Sequence, residues 1–283
     1  VVAQVTGEPE VGRLIAAGDV AFVVTIPGGF TRDLLKGERP QILIEADATD
    51  PAATSNAVAA LNQLPRSALR HDLPALATEP AFDVVIHRRY NPEGLTAYNI
   101  VPGLLGVILT MTMVLMTSLA VTRETERGTM ENLLAMPLRP AEVMAGKILP
   151  YIVIGYVQVG VVLVAARYLF AVPMLGSLGL LTLALLAFLL ANLAVGLTFS
   201  AIARNQLQAM QMTFFFFLPS MLLSGFMFPF RGMPGWAQGI GEVLPLTHFL
   251  RIVRGILLKG NGAIEIWPEV WPLLAFAAVA WTV

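Results

Sequence analysis

The stretch RETERGTMENLLAMPLRP, Arg123 to Pro140, interrupts a chain that is otherwise largely apolar. Five of the nine residues from Arg123 to Glu131 are charged, whereas the 29 residues from Gly94 to Thr122 carry no charge. Such an island behind such a run reads as a loop between two membrane crossings, because a bilayer's hydrocarbon core takes about 20 apolar helical residues to span. Further uncharged runs cover Ile148 to Ala166, Tyr168 to Ala203, Asn205 to Phe230 and Val270 to Val283. Of 283 residues 56% are hydrophobic and 13% charged, against roughly a quarter charged in soluble domains. The pattern predicts a membrane protein with four full spans and a fifth cut short where the chain stops, rather than a soluble protein with buried helices.

The formal net charge of −1 offers no basic field for nucleic acid. The absence of cysteine excludes disulfides, thiolate catalysis and cysteine-bound metals, and leaves the redox compartment unread. The chain opens at Val1 without methionine and stops within an apolar stretch, which reads as a fragment lacking material at both ends.

Residues 1–97 differ in kind. VAFVVTIP (Val20 to Pro27), QILIEAD (Gln41 to Asp47) and FDVVIHRRY (Phe82 to Tyr90) read as strands, rich in β-branched residues and closed by turn formers. Between them GGFTRDLLKGE and AATSNAVAALNQL have helical spacing, so the segment is expected to be a small α/β domain. Residues 98–283 are expected to form an all-α membrane bundle, with spans at about 100–121, 143–166, 176–199, 208–228 and 268–283. The stretch 229–266 carries two amphipathic pieces with Trp236 nearby and Trp267 and Trp271 just beyond, and reads as short interfacial or re-entrant helices. Lys and Arg do not orient the spans: five lie in the loops on each side.

The inventory of chemical groups argues against an enzyme. His71, His87 and His248 have no histidine or carboxylate partner at ligand spacing, and neither a G-x-x-x-x-G-K-[ST] phosphate loop nor a G-x-S-x-G elbow occurs. Ion-coupled carriers usually keep a charged side chain within a span, where the coupling ion binds. The interiors of the expected spans hold none, Lys147 and Glu269 falling near the ends of two of them. The polar groups inside are hydroxyls and the amides Gln158, Asn192 and Gln211, each as well explained by bonding between helices. Energy for transport would then enter from outside the bilayer, and the island is its natural receiver. There Thr129 can cap a short helix with Glu131 in the first turn, Met130, Leu133 and Leu134 on one face, and Pro137 as its stop. That helix could dock into a partner's groove or could simply orient the two spans.

RETERGTMENLLAMPLRPAEVMAGKILPYIVIGYVQ resembles the pattern R-E-x-E-x-G-T-x-E-x-L-x-x-x-P, then G-K-x-x-P-Y, of type-2 permeases of ATP-binding cassette (ABC) exporters. The matching residues are Arg123, Glu124, Glu126, Gly128, Thr129, Glu131, Leu133 and Pro137, then Gly146, Lys147, Pro150 and Tyr151. RNQLQAMQMTFFFFLPSMLLSGFMFPF followed by LPLTHFLRIVRGILLKG is similar to the family as well. The resemblance covers Tyr98 onward and implies an ABC-2 type permease in the subgroup with a large external domain between its first two spans. Five of six family spans are then present, the last truncated, and residues 1–97 and 229–268 lie outside the cytoplasm.

By the same resemblance the protein would sit as a multi-pass chain in a bacterial cytoplasmic (inner) membrane. It would pair with a second permease copy, identical or paralogous, with cytoplasmic ABC ATPase subunits and, in some systems, with a periplasmic adaptor protein. This chain would bind no cofactor, ATP and Mg belonging to the ATPase. Residues 123–140 would be the cytoplasmic coupling helix, with Arg123, Glu124, Glu126, Arg127, Gly128, Thr129, Glu131, Leu133, Leu134 and Pro137 facing the ATPase. A hydrophobic or amphiphilic substrate would pass spans 100–121 and 210–228, where Thr110, Thr117, Asn192 and Ser224 are candidates for its path and equally for helix packing. The rival reading is a membrane-anchored sensor or assembly scaffold built on the α/β domain, without transport.

Overall fold

The computed structural model describes residues 4–5, 7–67, 80–128 and 140–282. The chain divides into two compact units, Val1–Asn99 and Ile100–Val283.

In the first unit the described elements are α1 (Glu8–Ala17), β1 (Phe22–Thr25), α2 (Phe30–Leu35), β2 (Gln41–Asp47), α3 (Pro51–Leu61), α4 (Leu64–Ser67) and β3 (Asp83–Arg89). The sheet runs β1-β2-β3, antiparallel between the first two and parallel between the last two. All three expected strands are present, β1 shorter at both ends. The start of α3 follows from local chemistry: the Asp50 carboxylate accepts from the amides of Ala52 and Ala53 at 3.0 and 3.2 Å, and Pro51 occupies the first turn, where no amide is needed. Helix α1, unforeseen from the sequence, buries Val11 and Ile15, one helical turn apart, and ends at Gly18 with φ +82°. Glu45, buried in the middle strand, is neutralised by Arg89 of the neighbouring strand, whose Nε and Nη2 lie 2.8 and 2.6 Å from its Oε1. That hydrogen bond outweighs partial burial and holds the Arg89 guanidinium above its ordinary pKa.

The second unit is helical: α5 (Thr96–Glu126, beginning within the last residues of the first unit), α6 (Pro140–Tyr168), α7 (Leu178–Ile202), α8 (Gln206–Leu223), α9 (Gly235–Gly241), α10 (Pro245–Arg254), a π-turn (Gly255–Lys259) and α11 (Ala263–Thr282). Among the described residues, four helical segments are long and apolar enough to cross a membrane: Thr96–Glu126, Gly146–Tyr168, Leu178–Ile202 and Ala263–Thr282. The core is centred on α7, which packs on α10 and α11 and stacks Phe188 on Phe249 with ring centroids 4.0 Å apart. Small residues let backbones approach: a Cβ on Gly196 would lie 2.9 Å from both Thr117 Cβ and the Val114 carbonyl oxygen, and one on Gly106 2.8 Å from Leu246.

Several expectations need revision. The span expected at about 208–228 is an 18-residue helix that opens with Gln206, Gln208 and Gln211 and stops at Leu223, since Gly225 at φ +84° turns the chain away. It is not among the four helices of spanning length and hydropathy. The last helix starts at Ala263 rather than near 268 and includes Glu265 and Glu269, so the expectation that span interiors are free of charge fails there. Pro268 and Pro272 lie within it without ending it. Of the pieces expected to be interfacial or re-entrant helices, α10 has eight of its ten residues buried inside the fold.

Candidate functional site

Helix α5 does not end where the charges begin. It continues through Arg123, Glu124 and Glu126, since no residue there breaks a helix, and the chain leaves it at Gly128 with φ +70°. Two acidic side chains on its last turn bind other helices. The Glu124 carboxylate pairs with the ammonium of Lys147 on α6, with side chains 32% and 16% exposed. The Glu126 carboxylate accepts from the Gln206 backbone amide at 2.8 Å and from the Gln206 side-chain amide. Gln206 is the first residue of α8, so an anion sits where that helix presents unpaired amides and the positive end of its dipole. Asn205 completes this start by accepting from the Gln208 amide at 2.8 Å, and Arg123 Nε reaches Gln206 Oε1 at 3.5 Å.

The polar end of α5 is thereby tied to α6 and α8. Beside the Glu124–Lys147 pair lies a pocket of about 210 Å³, lined by Thr117, Val121 and Glu124 of α5, Lys147, Pro150 and Tyr151 of α6, and Leu197 of α7. Arg127 is exposed and its amide bonds the Arg123 carbonyl. Thr129, Glu131, Leu133, Leu134 and Pro137 lie outside the described residues.

The four candidates for a substrate path are all buried. Thr110 donates to the Gly106 carbonyl at 2.9 Å, Asn192 Nδ2 to the Phe188 carbonyl at 2.9 Å, and Ser224 to the Met221 carbonyl at 3.4 Å, each bond local to its own helix end or turn. Among the described residues the Thr117 hydroxyl and Asn192 Oδ1 have no hydrogen-bond partner. No hydrogen bond joins any two of the four. Polar bridges between helices are made by other residues: Thr112 donates to Gln158 Oε1 at 3.0 Å, and the Ser118 and Thr213 hydroxyls meet at 3.2 Å. Gln158 thus bonds between helices as its residue type suggested, while Ser118 and Thr213 gave no signal beyond being small polar residues in apolar runs.

A second polar cluster went unseen in the sequence. His248 of α10 does have a carboxylate partner: its Nδ1 lies 2.6 Å from Glu269 Oε2 on α11, 21 residues away, and its Nε2 lies 2.8 Å from the Glu242 carbonyl oxygen. Arg251 bridges Glu242 at 2.6 and 3.1 Å and Glu269 at 3.1 and 3.3 Å, with its guanidinium 4.6 Å from the Phe230 ring centroid. Among the described residues no three His, Cys, Asp or Glu side chains are grouped to hold a metal ion.

The charged last turn of α5 thus fastens two helices of membrane-spanning length, α5 and α6, to the start of the shorter α8. The model of the ABC-2 family transporter protein matches residues 1–283, and the chain belongs to that family. It is 29% identical over 269 residues to the probable multidrug ABC transporter permease YbhR of Escherichia coli, covering 95% of this chain and 73% of that one. It is 30% identical over 272 residues to the inner membrane transport permease YhhJ of the same species, covering 94% and 72%. It is 29% identical over 154 residues to the linearmycin resistance permease protein LnrN of Bacillus subtilis, covering 54% and 40%. The chain is thus a permease, a transmembrane subunit of a transporter of the kind that works with ABC ATPases.

Proposed function

We propose that the chain moves hydrophobic or amphiphilic molecules out of the cytoplasm, driven by ATP hydrolysis in separate ATPase subunits that press on residues 123–140. The observation that carries this reading is the pair of contacts made by the last turn of α5, Glu124 with Lys147 and Glu126 with Gln206. A push on that turn is shared at once by α6 and α8, the first step any externally driven permease requires. The chain itself has no Walker-type phosphate loop, so ATP and Mg belong to the partner. In this reading residues 1–97 stand outside the cytoplasm, the permease works as a dimer in a bacterial inner membrane, and Thr117 with its unpaired hydroxyl belongs to the substrate route. The names of YbhR and LnrN, multidrug and linearmycin resistance, support apolar or amphiphilic cargo.

The test is ATP turnover by the permease reconstituted in liposomes with its ABC ATPase partner, across a panel of drugs, lipids and hydrophilic controls. Apolar or amphiphilic compounds are expected to raise turnover at least twofold while hydrophilic ones do not. Turnover indifferent to every compound, in a complex that assembles, would favour the scaffold reading.

A further inference from the structure

We propose that Glu242, His248, Arg251 and Glu269 form a proton-operated latch that fastens α10 and the end of α9 to the first turns of α11, with His248 as its moving part. The geometry demands a particular protonation state. Both imidazole nitrogens face oxygen, Nδ1 the Glu269 carboxylate at 2.6 Å and Nε2 the Glu242 carbonyl at 2.8 Å. A carbonyl only accepts, and Arg251 Nη1 touches both oxygens of Glu269, which marks that carboxylate as the ionised acceptor. A neutral imidazole carries one N–H and can satisfy one of the two; only the imidazolium satisfies both.

Charge balance points the same way. With His248 protonated the cluster holds two cations, His248 and Arg251, against two anions, Glu242 and Glu269, and sums to zero. Without that proton it is left at −1 against an apolar core that includes Leu250 and Ile266. The His248 side chain is 6% exposed, so water cannot replace the lost partner. Burial by itself would lower the imidazole's pKa, but the Glu269 hydrogen bond and the Glu242 carbonyl outweigh it, and the net direction is upward. A raised folded value means that the latch is fully closed below the ordinary histidine value of about 6.5 and releases as pH rises through the higher folded value.

Among the described residues no competing titratable group explains the arrangement. The other charged groups on the elements packed about α10 are Arg231 in the turn at 230–232, Arg254 at its own end, Lys259 of the π-turn and Glu265 of α11, which accepts from the Gly262 amide at 3.0 Å. Helices α7 and α8 carry no titratable side chain, and α5, which packs on α10 through Gly106, has Tyr98 before that contact and Arg123 onward well after it. The inference stands on this cluster alone and does not rest on the export reading.

The test uses the full chain in lipid nanodiscs, with ¹⁵N-labelled histidine followed by NMR between pH 5 and 10. One histidine signal is expected to keep both nitrogens protonated to a pH above the ordinary histidine value, and that signal is expected to vanish in His248→Gln. Trp267 and Trp271, two residues either side of Glu269 and both exposed, report the mechanical step: their fluorescence is expected to change with the same midpoint, and Glu269→Gln to lower it. The proposal is overturned if no histidine signal titrates above the ordinary value, if the high-pH titration persists in His248→Gln, or if tryptophan fluorescence is flat across the His248 midpoint. The wild-type titration decides the question by itself should either variant fail to fold.

Discussion

Glu124→Lys is expected to cut transport-coupled ATP turnover by about tenfold, a loss of ~1.4 kcal/mol in coupling, while the permease still inserts in the membrane. The substitution replaces an ion pair between the last turn of α5 and α6 with two ammonium groups at the same spot. The pair is partly shielded from water, so it escapes the near-zero value of a fully exposed surface pair. The informative arm is the exchange Glu124→Lys with Lys147→Glu. Because Glu124 joins two helices of its own chain, the exchange is expected to restore most of the lost turnover. Were Glu124 used instead as a contact to the ATPase, the double variant would remain as inactive as the single one. ATP turnover of the purified complex, measured for the four combinations, separates the two.

Gly196→Val is expected to destabilise the helical unit by about 1–3 kcal/mol and to lower the yield of folded permease. The new Cβ would sit 2.9 Å from the Val114 carbonyl oxygen, a backbone atom of α5 that cannot turn aside, and 2.9 Å from Thr117 Cβ. Helices α5 and α7 must then separate, which disturbs the core that holds Phe188 and Leu189. Gly155 makes the informative control: its nearest neighbours are the terminal carbons of the Leu189 side chain, which can rotate, so Gly155→Ala is expected to cost clearly less. Thermal unfolding in detergent, followed by far-UV circular dichroism, ranks the two variants.

Much of this architecture could be read in the sequence because each signal was local. The long uncharged runs mark the apolar helices without reference to anything distant, and β2 occupies the same residues, Gln41 to Asp47, that its composition picked out. Helix ends depend on one backbone torsion and were read less well. Leu223 ends α8 because Gly225 adopts positive φ, whereas the apolar residues Phe226 to Phe228 gave no reason to stop. The last turn of α5 is charged and still helical, since Arg, Glu and Thr do not break a helix; only Gly128 does.

Long-range pairs were out of reach. His248 and Glu269 are separated by 21 residues, and what brings them together is the packing of α10 on α11 rather than any spacing along the chain. The fastening of Glu126 to the start of α8 spans 80 residues and is equally silent in the sequence. The residue types did carry some warning: a histidine amid Pro245 to Val253, a segment otherwise apolar except for Thr247 and Arg251, must find polar partners wherever it is buried.

The central claim is that a partner ATPase meets this permease at the charged turn after α5. The sequence contains no cysteine, which permits a direct measurement: single variants Arg127→Cys and Arg231→Cys, each labelled with a maleimide–benzophenone, co-purified with the ATPase and photolysed, so that the benzophenone inserts into any C–H bond within reach. The account predicts a permease–ATPase cross-link from Arg127→Cys whose yield changes with ATP, and none from Arg231→Cys. A cross-link from Arg231→Cys, or none from Arg127→Cys in a complex that co-purifies intact, would contradict it.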